Sequence, residues 1–530
     1  MKLKLRIGFS IIWTSLLFAL FQSIRNMLAE PVWKPFLIFL VLFLLLAVFC
    51  FSIFKIASHS RIGDFLYSAA ELERRMEKAL NSTLSDTTFF FHLWILLTIC
   101  YIPAYLALFP GTFGYDSPIQ AAQYFGDLEL TSLHPLAHTF LLGGFFSLGE
   151  KLFHSFFTGF AFYTAFQGIA VTGSAAYSLT VCKKHRVPFP CILLAAFWFA
   201  FNPYLQILSF NSTKDILFGA FLLGFTTACW DFLECDEPRK SQHILLIIFG
   251  ILMCLFRNQG IYILAAQLLL CLILRCGKKG FYLCLAAVLL LSQGFFTVSS
   301  AGLHIPKGDS REMLCVPIQQ MALAGYSYLN GNRTQITREQ MEILNQIIPP
   351  EGLLAYEETT ADPVKNYFQT DALKKNLMTY IKNYISIGLQ NPHEYLYAWL
   401  YLIHPYWEPS DNSYKSLTYS YTFTELNQWG IQYTPKFDRY YNTLVDKLYD
   451  TDEKLHNRPD LCLWLLAGLS GFAIARGRKK LFLGILPLAF YLGTMVLGPV
   501  ALLRYLYPLT LATPLLLCLF FLPSRSKERW

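Results

Sequence analysis

Residues 134–152 read HPLAHTFLLGGFFSLGEKL, and the sidedness of the whole chain turns on whether they cross a membrane. The stretch is apolar and as long as a span, yet it carries the pair Gly143-Gly144 and ends in Glu150-Lys151. Around it lie twelve other apolar runs, at 8–24, 35–56, 89–109, 156–181, 189–208, 215–233, 243–256, 260–275, 280–300, 460–475, 480–498 and 501–522. Most of them approach the roughly 17–25 residues that cross a hydrocarbon core of about 30 Å. With the N-terminus inside and 134–152 kept from crossing, the basic clusters all fall on the inner side. They are Lys2/Lys4/Arg6, Arg61/Arg74/Arg75/Lys78, Lys183/Lys184/Arg186, Arg239/Lys240, Arg275/Lys278/Lys279, Arg476/Arg478/Lys479/Lys480 and Arg525/Lys527/Arg529. The outer loops keep isolated cations such as Arg25, Lys34, Lys214, Arg257 and Arg504. That asymmetry is the positive-inside pattern. A crossing 134–152 would invert every later loop and turn the clusters outward. The stretch therefore reads as a re-entrant or interfacial helix on the outer face.

Composition agrees with a bilayer as solvent. Of 530 residues, 55% are hydrophobic and 15% charged, where soluble domains carry about 25% charge. Mean hydropathy is +0.41. These values exclude disorder, a collagen-like repeat and a disulfide scaffold, and a single soluble globule could not hide so much apolar surface. The net charge of +8 sits in short clusters between apolar runs, so it reads as a topology signal and not as a nucleic-acid footprint. Nearly all of the 13 cysteines lie inside or beside apolar runs, Cys50, Cys100, Cys254, Cys284 and Cys518 among them; the polar segment 301–458 holds only Cys315, and no CxxC pair exists. They read as small apolar filler. The basic start MKLKLR leads into an apolar run without a small-x-small cleavage site, which reads as a retained anchor.

The expected fold is an all-α polytopic membrane protein of about twelve transmembrane helices, multi-pass in the cell membrane with both termini cytoplasmic. Residues 1–88 give two spans and an inner amphipathic segment (ELERRMEKAL within 58–88), 89–300 a membrane core, 301–458 an outer domain, and 459–530 the last spans with a basic tail. TREQMEILNQII and DALKKNLMTYIKNYISIGL, inside 301–458, have helical periodicity.

The first large outer loop, 110–134, reads PGTFGYDSPIQAAQYFGDLELTSLH and has no Lys or Arg. Carboxylates at an outer surface can act as a base or bind a metal. Asp127 and Glu129 read most simply as solvated charges, although they are the metal candidates in this loop. Asp116 is set among Gly114, Tyr115 and Pro118 directly beyond a span, and is the stronger functional candidate. Lys214 and Asp215 open the sixth span. Asp215 near a helix N-terminus is explained by the macrodipole, with Asn211 or Ser212 as cap. It is equally placed to face Asp116 across an outer cavity, since charges at a membrane boundary are costly and tend to be functional. Arg257 in CLFRNQGIY and Arg504 in GPVALLRYLYPL share that level, and a guanidinium fork suits phosphate oxygens. His134 and His138, four apart, would share a helix face. They read more readily as packing than as metal ligands.

In order along the chain, these features resemble the GT-C superfamily of polytopic membrane glycosyltransferases, in the style of the protein mannosyltransferases and aminoarabinose transferases. The features are an acidic first outer loop, His134-Pro135 and an interfacial helix, the Lys214-Asp215 pair, the RNxG of 257–260 and the RYxxP of 504–508. Together with VPIQQMA (316–322), they are most similar to an uncharacterised bacterial membrane family placed near that superfamily. The resemblance covers roughly 89–330 and 460–522. It implies transfer of a sugar from a polyprenyl-phosphate donor to an extracytoplasmic acceptor, such as an envelope glycan, lipid or protein. It assigns Asp116 and Asp215 as the catalytic carboxylates, and Lys214, Arg257 and Arg504 as holders of the lipid phosphate. Tyr115, Gln120 and His134 would shape the acceptor side. YDSP offers one carboxylate where relatives carry a paired-acid motif, so no cofactor is demanded and a divalent cation remains an option. The expected partners are the lipid-linked sugar, the acceptor and the bilayer, with no nucleic acid. A transporter or flippase of a lipid-linked intermediate, or a wall-polymer ligase or assembly partner, would use the same spans. No inverted repeat and no mid-span charge supports the transporter.

Overall fold

The computed structural model describes residues 85–114, 116–306, 310–332, 334–407, 427–448 and 460–523. The apolar runs 8–24 and 35–56, nearly all of segment 58–88, Tyr115 and the tail from residue 524 lie outside the described residues. The described chain is helical, and only isolated bridges occur in place of strands.

The membrane-type helices are bounded by residues that suit such boundaries. Ser85 caps α1 (Asp86–Ala107), its hydroxyl accepting from the Thr88 N–H at 3.1 Å. Helix α2 (Ser117–Phe125) carries Pro118 in its first turn and stops at Gly126, whose φ of 84° suits a residue without a Cβ. Pro135 precedes α3 (Leu136–Phe153), and Ser155 caps α4 (Phe156–Lys184). The run 189–208 is divided by Asn202-Pro203 into α5 (Phe189–Phe201) and α6 (Pro203–Leu208). Then come α7 (Lys214–Glu234), α8 (Lys240–Phe256), α9 (Gly260–Ile273) and α10 (Lys279–Gly302). Among the described residues four helices are long and apolar enough to cross a membrane. Three are α1, α7 and α10, and the fourth is the last helix of the described chain, Leu503–Phe520. Helices α5, α8 and α9 are shorter and apolar.

The helices run between two ends. At one end the Tyr105 hydroxyl donates to the Ala161 carbonyl (2.8 Å) and that of Tyr204 to the Leu503 carbonyl (2.7 Å). At the opposite end Lys183 pairs with Asp86 (2.9 Å), and Lys184 and His185 meet Asp231 (2.8 and 2.6 Å). Helix α7, about 30 Å long at 1.5 Å per residue, connects the two ends and is buried from Asp215 to Glu234. Helix α3 does not. Near its start His138 hydrogen-bonds Tyr163 (2.7 Å), and near its finish Gly149 lies against Gly159. Both partners belong to the first turns of α4, so α3 begins and finishes at the same end.

Between α10 and the last spans the chain builds α11 (Cys315–Leu329), α12 (Arg338–Asn345), α13 (Pro350–Leu354), α14 (Asp362–Tyr367), α15 (Thr370–Lys375), α16 (Leu377–Gln390), α17 (Pro392–Ile403) and α18 (Asp438–Leu448). A second apolar core forms among α11–α17, around Ile318, Met321, Leu344, Ile348, Leu353 and Ile387. The last helices, α19 (Leu461–Arg476), α20 (Lys479–Met495) and α21 (Leu503–Phe520), return to the main core. The second core sits on the α20–α21 connection. The Ala361 N–H donates to the Pro499 carbonyl (2.8 Å) and the Trp399 indole to the Val496 carbonyl (2.9 Å).

Candidate functional site

Two loops at the first end are laced together before any charge is considered. The Thr112 N–H donates to the Phe210 carbonyl (2.8 Å), and the Ser212 N–H returns to the Thr112 carbonyl (3.0 Å). The Ser117 hydroxyl donates to the Ser212 carbonyl (2.7 Å). From α4 the Gln167 amide donates to the Ser209 and Asn211 carbonyls (2.8 and 2.7 Å). Gly111 allows the approach. Its φ is 113°, and a Cβ there would stand 2.8 Å from the Phe210 carbonyl oxygen. This lacing sets Asp116, just ahead of α2, opposite Lys214 and Asp215, which open α7. The cap of α7 is Thr213, so the expected cap at Asn211 or Ser212 is corrected. Those two residues are spent on loop pairing, their carbonyls accepting from Gln167 and Ser117.

Five charged side chains from four separate segments converge here. The Lys214 ammonium donates to Asp116 Oδ2 (2.8 Å) and to His134 Nδ1 (3.2 Å). Arg257, in the turn between α8 and α9, donates to Asp215 Oδ1 and to the Tyr491 hydroxyl (3.2 Å). The Tyr505 and Tyr491 rings lie 4.9 and 5.4 Å from its guanidinium carbon. Arg504, in the first turn of α21, stands between the carboxylates, 3.7 Å from Asp116 Oδ1 and 3.7 Å from Asp215 Oδ2. Asp215 is fully buried, whereas the Asp116 side chain keeps 21% exposure. Asp116 is thus the carboxylate that an incoming molecule would meet.

Lys214, Arg257 and Arg504 outnumber Asp116 and Asp215, and His134 does not cancel the difference. Burial and the neighbouring Lys214 push its imidazole down to about 4, against the pull of Asp116, so it is neutral near pH 7. With Lys214 donating to Nδ1, the ring proton belongs on Nε2. Burial alone would raise the Asp116 carboxyl, but Lys214, then Arg504 and His134, hold it well below the usual carboxylate range. The cluster therefore carries one net positive charge in a site closed to most solvent.

The other expected residues separate. Gln120 is buried and donates to Thr139 (3.1 Å), and His138 bridges Gln120 (3.0 Å) to Tyr163. His134 and His138 do not share a helix face, because α3 begins at Leu136, and they form no metal pair. Asp127 and Glu129 are exposed, and Asp127 accepts from the Gln428 amide. Neither joins Asp116. Among the described residues the group spaced to hold a metal is His185, Asp231 and Cys235, at the opposite end. Lys184 and Gln242 also bind that carboxylate there. Tyr491 and Tyr505, the aromatic faces around Arg257, were not among the expected site residues. Their only sequence signal is Tyr505 in the RYxxP stretch.

A recess of about 280 Å³ opens beside His134, lined by Ser132, Asn258, Tyr262, Gln293, Phe296 and Ser300. A larger groove, about 470 Å³, lies between α5 and α21. Its lining is almost wholly apolar and it brings no charged group to the cluster.

Fold and site together define a helical protein with membrane-suited spans and a buried, net-cationic cluster at one end. Residues 125–529 match a family of unknown function (DUF6020), and the chain belongs to that family. Lys214, Asp215, Arg257 and Arg504 fall within the matched range and Asp116 precedes it. No curated protein and no solved structure matches the chain.

Proposed function

We propose that the chain is a membrane glycosyltransferase that moves a sugar from a polyprenyl-phosphate donor to an extracytoplasmic acceptor. The observation that carries this reading is the convergence of Asp116, Lys214, Asp215, Arg257 and Arg504, from four segments distant in sequence, at one end of the bundle with an excess of positive charge. In this reading the chain crosses the bilayer twelve times, with the cluster outside and both termini inside.

Each group has a role in that chemistry. The departing lipid phosphate needs cations, and Lys214 and Arg504 are the ones that now hold Asp116. Asp116 in that grip is a weak base. A phosphate drawing Lys214 and Arg504 to itself frees the carboxylate and raises its basicity as the donor binds. Asp116 then takes the acceptor hydroxyl proton as that oxygen bonds the anomeric carbon and the sugar–phosphate bond breaks, the lipid phosphate leaving on Lys214 and Arg504. Asp215 is tied to Arg257 and buried, so its part is to fix Arg257 and Arg504. The recess beside His134 gives the acceptor a polar approach.

The tests are transfer of labelled sugar in proteoliposomes of the full chain and, separately, mass spectrometry of envelope glycans from a deletion strain complemented with variants. Asp116→Asn is expected to abolish transfer while leaving insertion and melting temperature near those of the parent. Wild-type transfer by Asp116→Asn would remove that residue from the reaction. Vectorial movement of a lipid-linked sugar without a new glycosidic bond would replace the reading with a transporter.

A further inference from the structure

Helix α16 carries an apolar stripe that stays exposed among the described residues. Its inner face is fully engaged. Tyr380 and Ile387 are buried in the second core, Asn383 donates to the Gln340 carbonyl (3.0 Å), and the Tyr380 hydroxyl donates to Gln346 (2.8 Å). On the other side Met378, Ile381, Ile385 and Leu389 follow at intervals of three and four residues, which is one helical face. Their exposures are 64%, 40%, 51% and 78%. Those values match the side chains on the outward faces of the membrane-type helices, such as Leu194 at 70% and Leu290 at 72%. Elsewhere the same small domain meets water conventionally, as α12 shows by presenting Arg338, Glu339 and Glu342. Single exposed apolar side chains occur elsewhere in the domain, such as Leu354 and Leu396, but only α16 among the described helices of the domain lines up four on one face, which marks a contact surface.

Charge identifies what it contacts. Helix α16 has no Asp or Glu. Lys382 borders the stripe, and Lys374 and Lys375 are exposed immediately ahead of the helix. Asp371, 3.7 Å from Lys374, is the one acidic neighbour on that segment. A narrow apolar face rimmed by lysines is the pattern of a helix lying in a lipid interface, with its aliphatic side chains at the acyl boundary and its ammonium groups at the phosphates. The position allows it, since the domain is seated on the 496–500 turn between α20 and α21, level with the end of the spans.

We propose that α16 lies in the bilayer interface at the site end, its Met378–Ile381–Ile385–Leu389 stripe in the acyl boundary and Lys374, Lys375 and Lys382 on an anionic leaflet. The outer domain is thereby held against the membrane beside the cluster.

A fluorescent amino acid, introduced by codon suppression at 385 or 389 in the full chain in nanodiscs, reads this directly. Position 342 on α12 is the control. Brominated lipid is expected to quench 385 and 389 more than aqueous iodide does, with the order reversed at 342. Iodide quenching at 385 and 389 equal to that at 342 overturns the proposal. So does protection from both quenchers, which would mean protein cover. Replacing Lys374, Lys375 and Lys382 together by Glu is expected to reduce lipid quenching in phosphatidylglycerol discs and much less in phosphatidylcholine discs. Equal quenching with and without the lysines in both disc types overturns the anionic assignment.

Discussion

Asp215 and Asp116 sit in one cluster but do different work, and burial is what separates them. Asp215 has no exposed surface and holds Arg257 and Arg504 in place. Asp215→Ala leaves two guanidinium groups without that partner in a closed site, and a broken buried pair costs about 3–5 kcal/mol. A large drop in melting temperature in detergent is therefore expected, clearly greater than for Asp116→Asn, whose side chain still reaches solvent. The histidines add a pH dependence. Burial and then Lys214 depress His134 to about 4 and His138 to about 3, from the roughly 6.5 of an unfolded chain. A depressed histidine costs nothing when neutral in both states, and it costs stability once the unfolded chain binds a proton that the folded one refuses. Stability should therefore fall as pH drops below about 6.5 and keep falling toward about 4, at up to about 1.4 kcal/mol per pH unit for each histidine. His134→Gln should roughly halve that slope in melts run from pH 7.5 to 5. An unchanged slope would mean that His134 takes up its proton equally well in the folded and unfolded chain. None of this was legible at His134, where the sequence shows only a histidine before a proline. The five charged residues were legible because a charge beside an apolar run is locally conspicuous.

At the scale of elements, most helices begin and end within a few residues of the apolar runs, because run length and flanking polarity are local signals. The exception has a local cause. Residues 189–208 read as one span, but Pro203 offers no N–H and Asn202 caps a new helix, its side chain accepting from the Leu205 N–H at 3.1 Å. What the sequence could not show is which loops meet. The pairing of Thr112 with the 210–212 loop joins residues about a hundred apart, and its backbone hydrogen bonds carry no side-chain pattern. Gly111 is where that pairing is most open to test. An alanine there meets the Phe210 carbonyl oxygen at 2.8 Å and adopts a φ that L-residues avoid, a strain of about 1–3 kcal/mol. Gly111→Ala should lower the melting temperature. It should also cut transfer more than an equally destabilising core change such as Leu222→Ala, because it displaces Asp116 from Lys214. Equal losses of transfer in the two variants would show that Gly111 acts through stability alone.

For the whole molecule, the distribution of charge between the two ends is the deciding property. One end gathers Lys183, Lys184, His185, Lys278, Lys479 and Arg478 around the turns of the bundle, and the other holds the enclosed cluster and the second core. Helix α3 makes this consistent. Its two ends stay at the cluster end, so α4 starts there and delivers Lys183 and Lys184 to the opposite end. A crossing α3 would have carried Tyr163 and the Gln167 carbonyl contacts to the wrong face. In the proposed topology, with the basic end inside, α3 is interfacial and the cluster end faces outward. Cysteine labelling on intact cells tests it at exposed sites. Of the native cysteines in the described residues, none is exposed, so background is low. Asp127→Cys and Glu342→Cys should react with a membrane-impermeant maleimide from outside. Asp236→Cys, whose parent side chain is 87% exposed at the opposite end, should react only after permeabilisation. Outside labelling at both 127 and 236 would require α3 or α7 to be read differently. Labelling of 127 only after permeabilisation would place Asp116 away from the compartment in which an extracytoplasmic acceptor waits.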